Sequence, residues 1–202
     1  MESVTSLITT ILSIALPSLV ALYVWWFKRE YERKEKDKAK EAEVATNAYR
    51  QHTGIVYRYL NKLLVDLDCA RVEILQPHPT LHKRWISVSF VITSSGVNDT
   101  SRMFQSVEMK DVAGFVGEIS TRPFICWKDI HECKDSKIRS HCLVSGNEMV
   151  MIQRLEDMNK DWIGNILVSF LDSKHRCNID YIKREMQEAA EAIQYVLPEY
   201  RV

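Results

Sequence analysis

Residues 149–171 read MVMIQRLEDMNKDWIGNILVSFL. Two apolar runs of strand length, Met149–Leu155 and Trp162–Leu171, flank Glu156-Asp157-Met158-Asn159-Lys160-Asp161, whose composition is that of a hairpin turn. The stretch predicts an antiparallel pair of strands within a larger sheet.

Three further strands lie upstream. Ala70–Leu75 alternates Ala70, Val72 and Ile74 with Arg71 and Glu73, and Gln76-Pro77-His78-Pro79 breaks the run. Trp85–Thr93 (WISVSFVIT) sets Ile86, Val88, Phe90 and Ile92 against small or polar partners, so the two segments form a second hairpin. Phe124–Trp127 is a short strand. Helical spacing marks Glu30–Leu67, through Val44, Ala48, Ile55, Val56, Tyr59, Leu60, Leu63 and Leu64, as one long helix or two with a break near Gly54. It also marks Val107–Ser120, ended by Arg122-Pro123, a short helix at Asp135–His141, and a terminal amphipathic helix at Ile179–Leu197, capped by Asn178 or Asp180 and stopped before Pro198. This order implies an α+β domain: an antiparallel five-stranded sheet flanked by helices, packed mainly on one face.

The first 27 residues contain no lysine or arginine, and their core LITTILSIALPSLVALYVWWF is followed at once by Lys28 and Arg29. At 1.5 Å per residue, such a helix covers a hydrocarbon layer of about 30 Å. The expectation is a single N-terminal transmembrane helix, residues 1–27. It lacks the basic start and small-residue cleavage site of a signal peptide. The run KREYERKEKDKAKEAE at 28–43 carries seven bases against six acids. The positive-inside rule then places the N-terminus outside and the remainder in the cytoplasm of an inner membrane, with Tyr23, Trp25 and Trp26 at the inner interface. Alternating charge reads as a solvated helical tether, residues 28–47, with i,i+4 pairs such as Glu30–Lys34 and Glu32–Lys36. Residues 48–202 then have the length of one domain.

Composition narrows the function. The chain has 27 basic and 27 acidic residues, so it lacks the basic excess of a nucleic-acid binder. Five cysteines at irregular spacing suit reduced thiols in the cytosol rather than a disulfide framework. No nucleophile elbow, phosphate-binding glycine loop or zinc-protease helix is present, so the chain is not read as an enzyme.

The stretches FVGEISTRPFICWKDI (115–130), KIRSHCLVSGNEMVMIQRL (137–155) and DWIGNILVSFLD (161–172), followed by the terminal helix, resemble a GAF domain, a small-ligand-sensing relative of PAS domains. The resemblance extends over Tyr49–Thr93 as well. It implies a ligand pocket between the sheet and Phe124–Leu143, with Trp127, His131, Arg139, His141 and Met151 as ligand-binding residues. The asparagine, lysine, phenylalanine, aspartate and glutamate set of cyclic-nucleotide-binding members is absent, so no ligand identity follows. The architecture of short span, charged tether and one α+β domain also resembles the T-type holins of tailed phages.

Cys126, His131, Cys133, His141 and Cys142 are types that bind zinc, but their spacing matches no zinc pattern, and neither metal nor cofactor is expected. Cys133 or Cys142 could serve as a redox-sensing thiol. Within the span, Ser6, Thr9, Thr10 and Ser13 fall on one helical arc, a polar face able to hold helices together or line a narrow path. The expectation is a homo-oligomeric membrane protein whose GAF-like domain controls oligomerisation or permeability of the span in response to a small ligand or partner. A lesion-forming holin and a membrane-tethered protein-binding adaptor are the alternatives.

Overall fold

The computed structural model describes residues 2–80, 82–172 and 178–200, with side chains from Leu22 onward. The chain divides into two units, Met1–Tyr49 and Arg50–Val202, and helix α1 (Glu2–Asp66) contributes to both. In the first unit Leu22, Tyr23, Val24, Trp25, Trp26 and Phe27 are all more than half exposed. The Tyr23 ring lies 6.5 Å from Trp26 and 6.4 Å from Phe27, and Lys34 pairs with Glu30 at 3.9 Å. Among the described residues no helix is long and apolar enough to cross a membrane. Ser6, Thr9, Thr10 and Ser13, like the rest of the expected span up to residue 21, lie outside the described side chains.

The second unit is built on a six-stranded antiparallel sheet in the order β3-β2-β1-β6-β5-β4. The strands are β1 (Arg71–His78), β2 (Trp85–Thr93), β3 (Val107–Glu108), β4 (Phe124–Trp127), β5 (Met149–Glu156) and β6 (Trp162–Phe170). Helices α2 (Ala113–Thr121), α3 (Ser136–Val144) and α4 (Ile179–Ile193) complete it. The 149–171 hairpin forms as expected, its turn closed by Asp157 Oδ1, which accepts from the amides of Asn159 and Asp161 at 2.8 Å. Helix α1 runs through Gly54 without a break, and Asn178 is the cap of α4.

Three expectations need correction. The sheet has six strands rather than five, because Val107 and Glu108 pair with Ile86 and Trp85 instead of opening a helix. Ser106, at φ 52°, turns the chain there, and α2 begins only after a 3-10 turn at Met109–Val112. Strand β1 runs on through Pro77 to His78, because its pairing with β6 ends at Leu75 and leaves one side unladdered, a position that tolerates proline. Helices also cover both sheet faces rather than mainly one. Val56, Leu60 and Leu63 of α1, Leu67 just beyond its end, and Ile182, Met186, Ala189 and Ile193 of α4 pack on Val72, Ile74, Met151 and Val168. Phe115 and Ile119 of α2 and Ile138 and Cys142 of α3 cover Leu75, Ile125, Val150, Ile152 and Leu167 on the other side.

Local chemistry fixes the joints. Helix α3 ends in a Schellman closure, Gly146 N–H to Leu143 O and Asn147 N–H to Cys142 O, both 2.9 Å, with Gly146 at φ 72°. Asp68 fills the same left-handed position after α1, with bonds of 3.3 Å from Asp68 to Val65 and from Cys69 to Leu64. Gly164 is required by close approach, since a Cβ there would lie 2.8 Å from Leu75 O where β6 leaves β1. The buried Asp135 carboxylate caps two helices. Its Oδ1 accepts from the amides of Lys137 and Ile138 at 3.1 and 3.2 Å, while Oδ2 accepts from Phe115 N–H of α2 at 3.3 Å.

At the far end of β1 the segment 198–200 folds back. Gln76 Nε2 donates to Pro198 O at 2.9 Å, and the Tyr200 ring lies 4.4 Å from His78, whose other neighbour is Trp85 at 5.9 Å. His78 Nε2 and Ser87 Oγ are 2.8 Å apart, both residues being buried.

Two outcomes follow. Asp135→Ala should cost about 2 kcal/mol in urea unfolding, since each lost cap is worth about 1 kcal/mol, with Asp135→Asn recovering part of it. Burial holds the His78 pKa below its ordinary 6.5, so the fold favours neutral imidazole. Its contribution is undiminished above pH 6.5 and is lost as pH falls from there towards the depressed folded-state value. Urea midpoints should therefore drop between pH 7.5 and pH 5.5, and the drop should be smaller in His78→Gln.

Candidate functional site

Strand alternation places Arg71, Glu73 and Leu75 on the face covered by α2 and α3, opposite Val72 and Ile74. Both charged side chains are fully withdrawn from solvent, at 0% and 1% exposure. A charge taken out of water needs a partner and hydrogen bonds to persist. Arg71 Nε lies 3.5 Å from Glu73 Oε1, and Glu73 Oε2 is 3.1 Å from His141 Nε2 of α3. Arg71 Nη2 donates to Asn98 O. Arg71 Nη1 and the hydroxyl of Ser169, its cross-strand partner on β6, are buried without a hydrogen-bond partner among the described residues.

This line reaches the surface at a cleft. Lys137, Ser140, His141 and Val144 present one face of α3 to Met103, Phe104 and Val107, enclosing about 220 Å³. The Phe104 ring, itself buried, lies 4.8 Å from the His141 ring. A neighbouring depression of about 270 Å³ is lined by Asn98, Thr100, Ser145 and Gly146. There Ser145 Oγ donates to His141 O at 2.8 Å and lies 2.5 Å from Thr100 Oγ1. Hydrogen bonds from Ser101, helped by the charges of Arg71 and Arg102, hold the Asp99 carboxyl below the usual carboxylate range. The cleft thus has an apolar wall, a cationic lysine at its rim and an imidazole backed by a buried carboxylate.

The five expected ligand-binding residues are not brought together. His141 lines this cleft, whereas Trp127 is buried on β4, beside a separate hollow of about 540 Å³ that it lines with Glu118, Arg122, Cys126 and Lys134. His131 is exposed on a turn, and Arg139 is half-buried, donating from Nη1 to Cys133 O at 3.2 Å. Met151 lies on the opposite sheet face, among the residues packed on α1 and α4. The thiols are unlike those of reactive cysteines: burial pushes Cys133 up to about 11 and Cys142 higher still. Among the described residues no three His, Cys, Asp or Glu side chains are grouped so as to hold a metal.

Sequence reasoning missed Arg71, Glu73, Phe104, Lys137 and Ser140. One signal was available. Leu75 follows Arg71 and Glu73 on the same strand face, so that face continues into apolar surface and had to be covered.

No protein-family model and no curated protein matches the sequence. Solved GAF-domain structures share the fold of the second unit. The phycoerythrobilin-bound GAF domain of a cyanobacterial phytochrome is 12% identical, with a TM-score of 0.53 over 75% of this chain and 93% of its own. The blue-light absorbing form of the Thermosynechococcus elongatus PixJ GAF domain is 11% identical, with a TM-score of 0.57 over 74% and 88%. A GAF domain/HD domain protein from Geobacter sulfurreducens is 10% identical, with a TM-score of 0.54 over 72% and 93%. The chain therefore carries a GAF-like α+β fold.

Removing one member of the buried charge pair strands the other. Glu73→Ala or Arg71→Ala should each destabilise the domain by about 3–5 kcal/mol in urea unfolding, whereas replacing both, Arg71→Met with Glu73→Leu, should cost less than either single change.

Proposed function

We propose that this chain is a non-enzymatic sensor in which the GAF-like domain binds a small acidic molecule in the cleft between residues 101–107 and α3. The observation that carries the reading is the buried Arg71–Glu73–His141 line ending in the cleft wall. Buried charges are expensive to retain, and an apolar cleft with a few convergent polar groups is the ordinary form of a small-molecule site. Lys137, Ser140 and His141 share one helical face, offering donors to a carboxylate, while Met103, Phe104, Val107 and Val144 suit an apolar body.

Size limits the ligand. The cleft, at about 220 Å³, is below the range of about 300–1,000 Å³ typical for drug-sized molecules. A compact acid fits it, and a bilin such as that bound by the phytochrome domain does not.

The domain is read as cytoplasmic, held at an inner membrane by a span at residues 1–27, and acting on the span's self-association or permeability. Support comes from the exposed apolar and aromatic run Leu22–Phe27, followed directly by Lys28 and Arg29, the composition of an interfacial belt with basic residues on the inner side. A membrane-tethered adaptor would use the same anchor without a ligand. The holin reading gains no support from the solved structures the chain resembles.

Thermal unfolding of the full chain against small mono- and dicarboxylic acids, with matched amines as controls, tests the ligand. An acid at about 100 times its Kd should stabilise the domain by about 2.7 kcal/mol. Lys137→Ala and His141→Ala should each abolish most of the shift. A panel without any acid-dependent shift, or a shift that both variants retain, would sink the reading.

A further inference from the structure

We propose that residues 198–200 form a strap that holds the segment 101–107, and with it the Phe104 ring, closed over the Arg71–Glu73–His141 line. Two connected routes join strap and segment. In the first, the Tyr200 hydroxyl donates to Gln105 Oε1 at 2.5 Å, and Gln105 Nε2 donates to Ser101 O and Val88 O, each at 2.9 Å. In the second, the Tyr200 ring lies against His78, which is hydrogen-bonded to Ser87 Oγ, and that oxygen accepts from Ser106 N–H at 2.7 Å. The strap itself is seated by the bond from Gln76 to Pro198 O.

The segment needs such support. Ser106 sits in the left-handed region at φ 52°, which a residue with a Cβ adopts only where its surroundings impose it. Of the ties named here, Ser106 N–H and the Gln105 side chain lead to the strap, while Val88 N–H donates independently to Phe104 O at 3.1 Å. Freeing residues 198–200 therefore loosens the lid while leaving it paired to β2. Coupling is reciprocal, so whatever lifts 101–107 also loosens the strap. The coupling stands without a ligand; its use in sensing rests on the reading of the cleft given above.

Hydrogen exchange on the full chain tests this. Tyr200→Phe keeps the ring on His78 and removes only the hydroxyl, and should raise exchange at Met103, Phe104 and Ser106 about fivefold, the factor expected for one hydrogen bond. Gln76→Leu, which unseats Pro198 without touching Gln105, should act in the same direction. In a Gln105→Ala background, Tyr200→Phe should add nothing, because the two changes break the same link. Unchanged exchange at residues 103–106 in both Tyr200→Phe and Gln76→Leu would overturn the proposal. So would multiplying effects in the double variant, or a rise shared equally by the amides of β5 and β6, which would signify general loosening.

Discussion

Everything on the α2 and α3 side of the sheet is arranged around two charges that cannot reach water. Arg71 and Glu73 stand two residues apart on a strand buried on both faces. A one-residue slip of β1 would drive both into the apolar layer formed by α1 and α4, so the pair specifies register more sharply than an apolar strand would. The partners are drawn from distant parts of the chain, with Asn98 supplied by the loop after β2 and His141 by α3. Satisfying the pair thus fixes where α3 lies over the sheet and how the 98–107 loop returns to it. Asp135, capping α2 and α3 together, holds the two helices in the position that this requires.

Much of this fold was legible in the sequence because its elements are periodic. The hairpin at 149–171, the alternating 85–93 strand and the amphipathic last helix each declare themselves within their own residues. The sixth strand did not, because two residues carry no period and the pairing of Val107 and Glu108 depends on a backbone turn at Ser106. The same limit hid the site. Alternation separates the two faces of β1 but says nothing of whether both are covered, and the cover over Arg71 and Glu73 arrives from residues about 30 and 70 positions away.

Parity explains the scattering of the expected ligand residues. Trp127 is registered with Val150, and Cys126 with Met151. Trp127 and Met151 therefore face opposite sides, although both stand on neighbouring strands near the expected pocket. His141 escaped this problem because it lies on a helix whose inward face is set by Ile138 and Cys142, one turn before it and beside it.

The two faces of the sheet differ in construction, and the difference bears on how a signal could travel. One is closed by long helical segments with apolar contacts. The other is closed by nine-residue helices, 3-10 turns and a polar line. Local opening is easiest where regular structure is short and contacts are polar, so a molecule entering the cleft would displace the 101–107 segment or α3 before it displaced the sheet. To influence the α1 and α4 side, that displacement must either deform six paired strands or pass around the sheet. At the Gln76–His78 end of β1 a path around it exists, through Gln105 and Tyr200 to the residues that follow α4. A stiff sheet thus stands between the cleft and the α1 and α4 layer, and the polar strap over its end links the two sides.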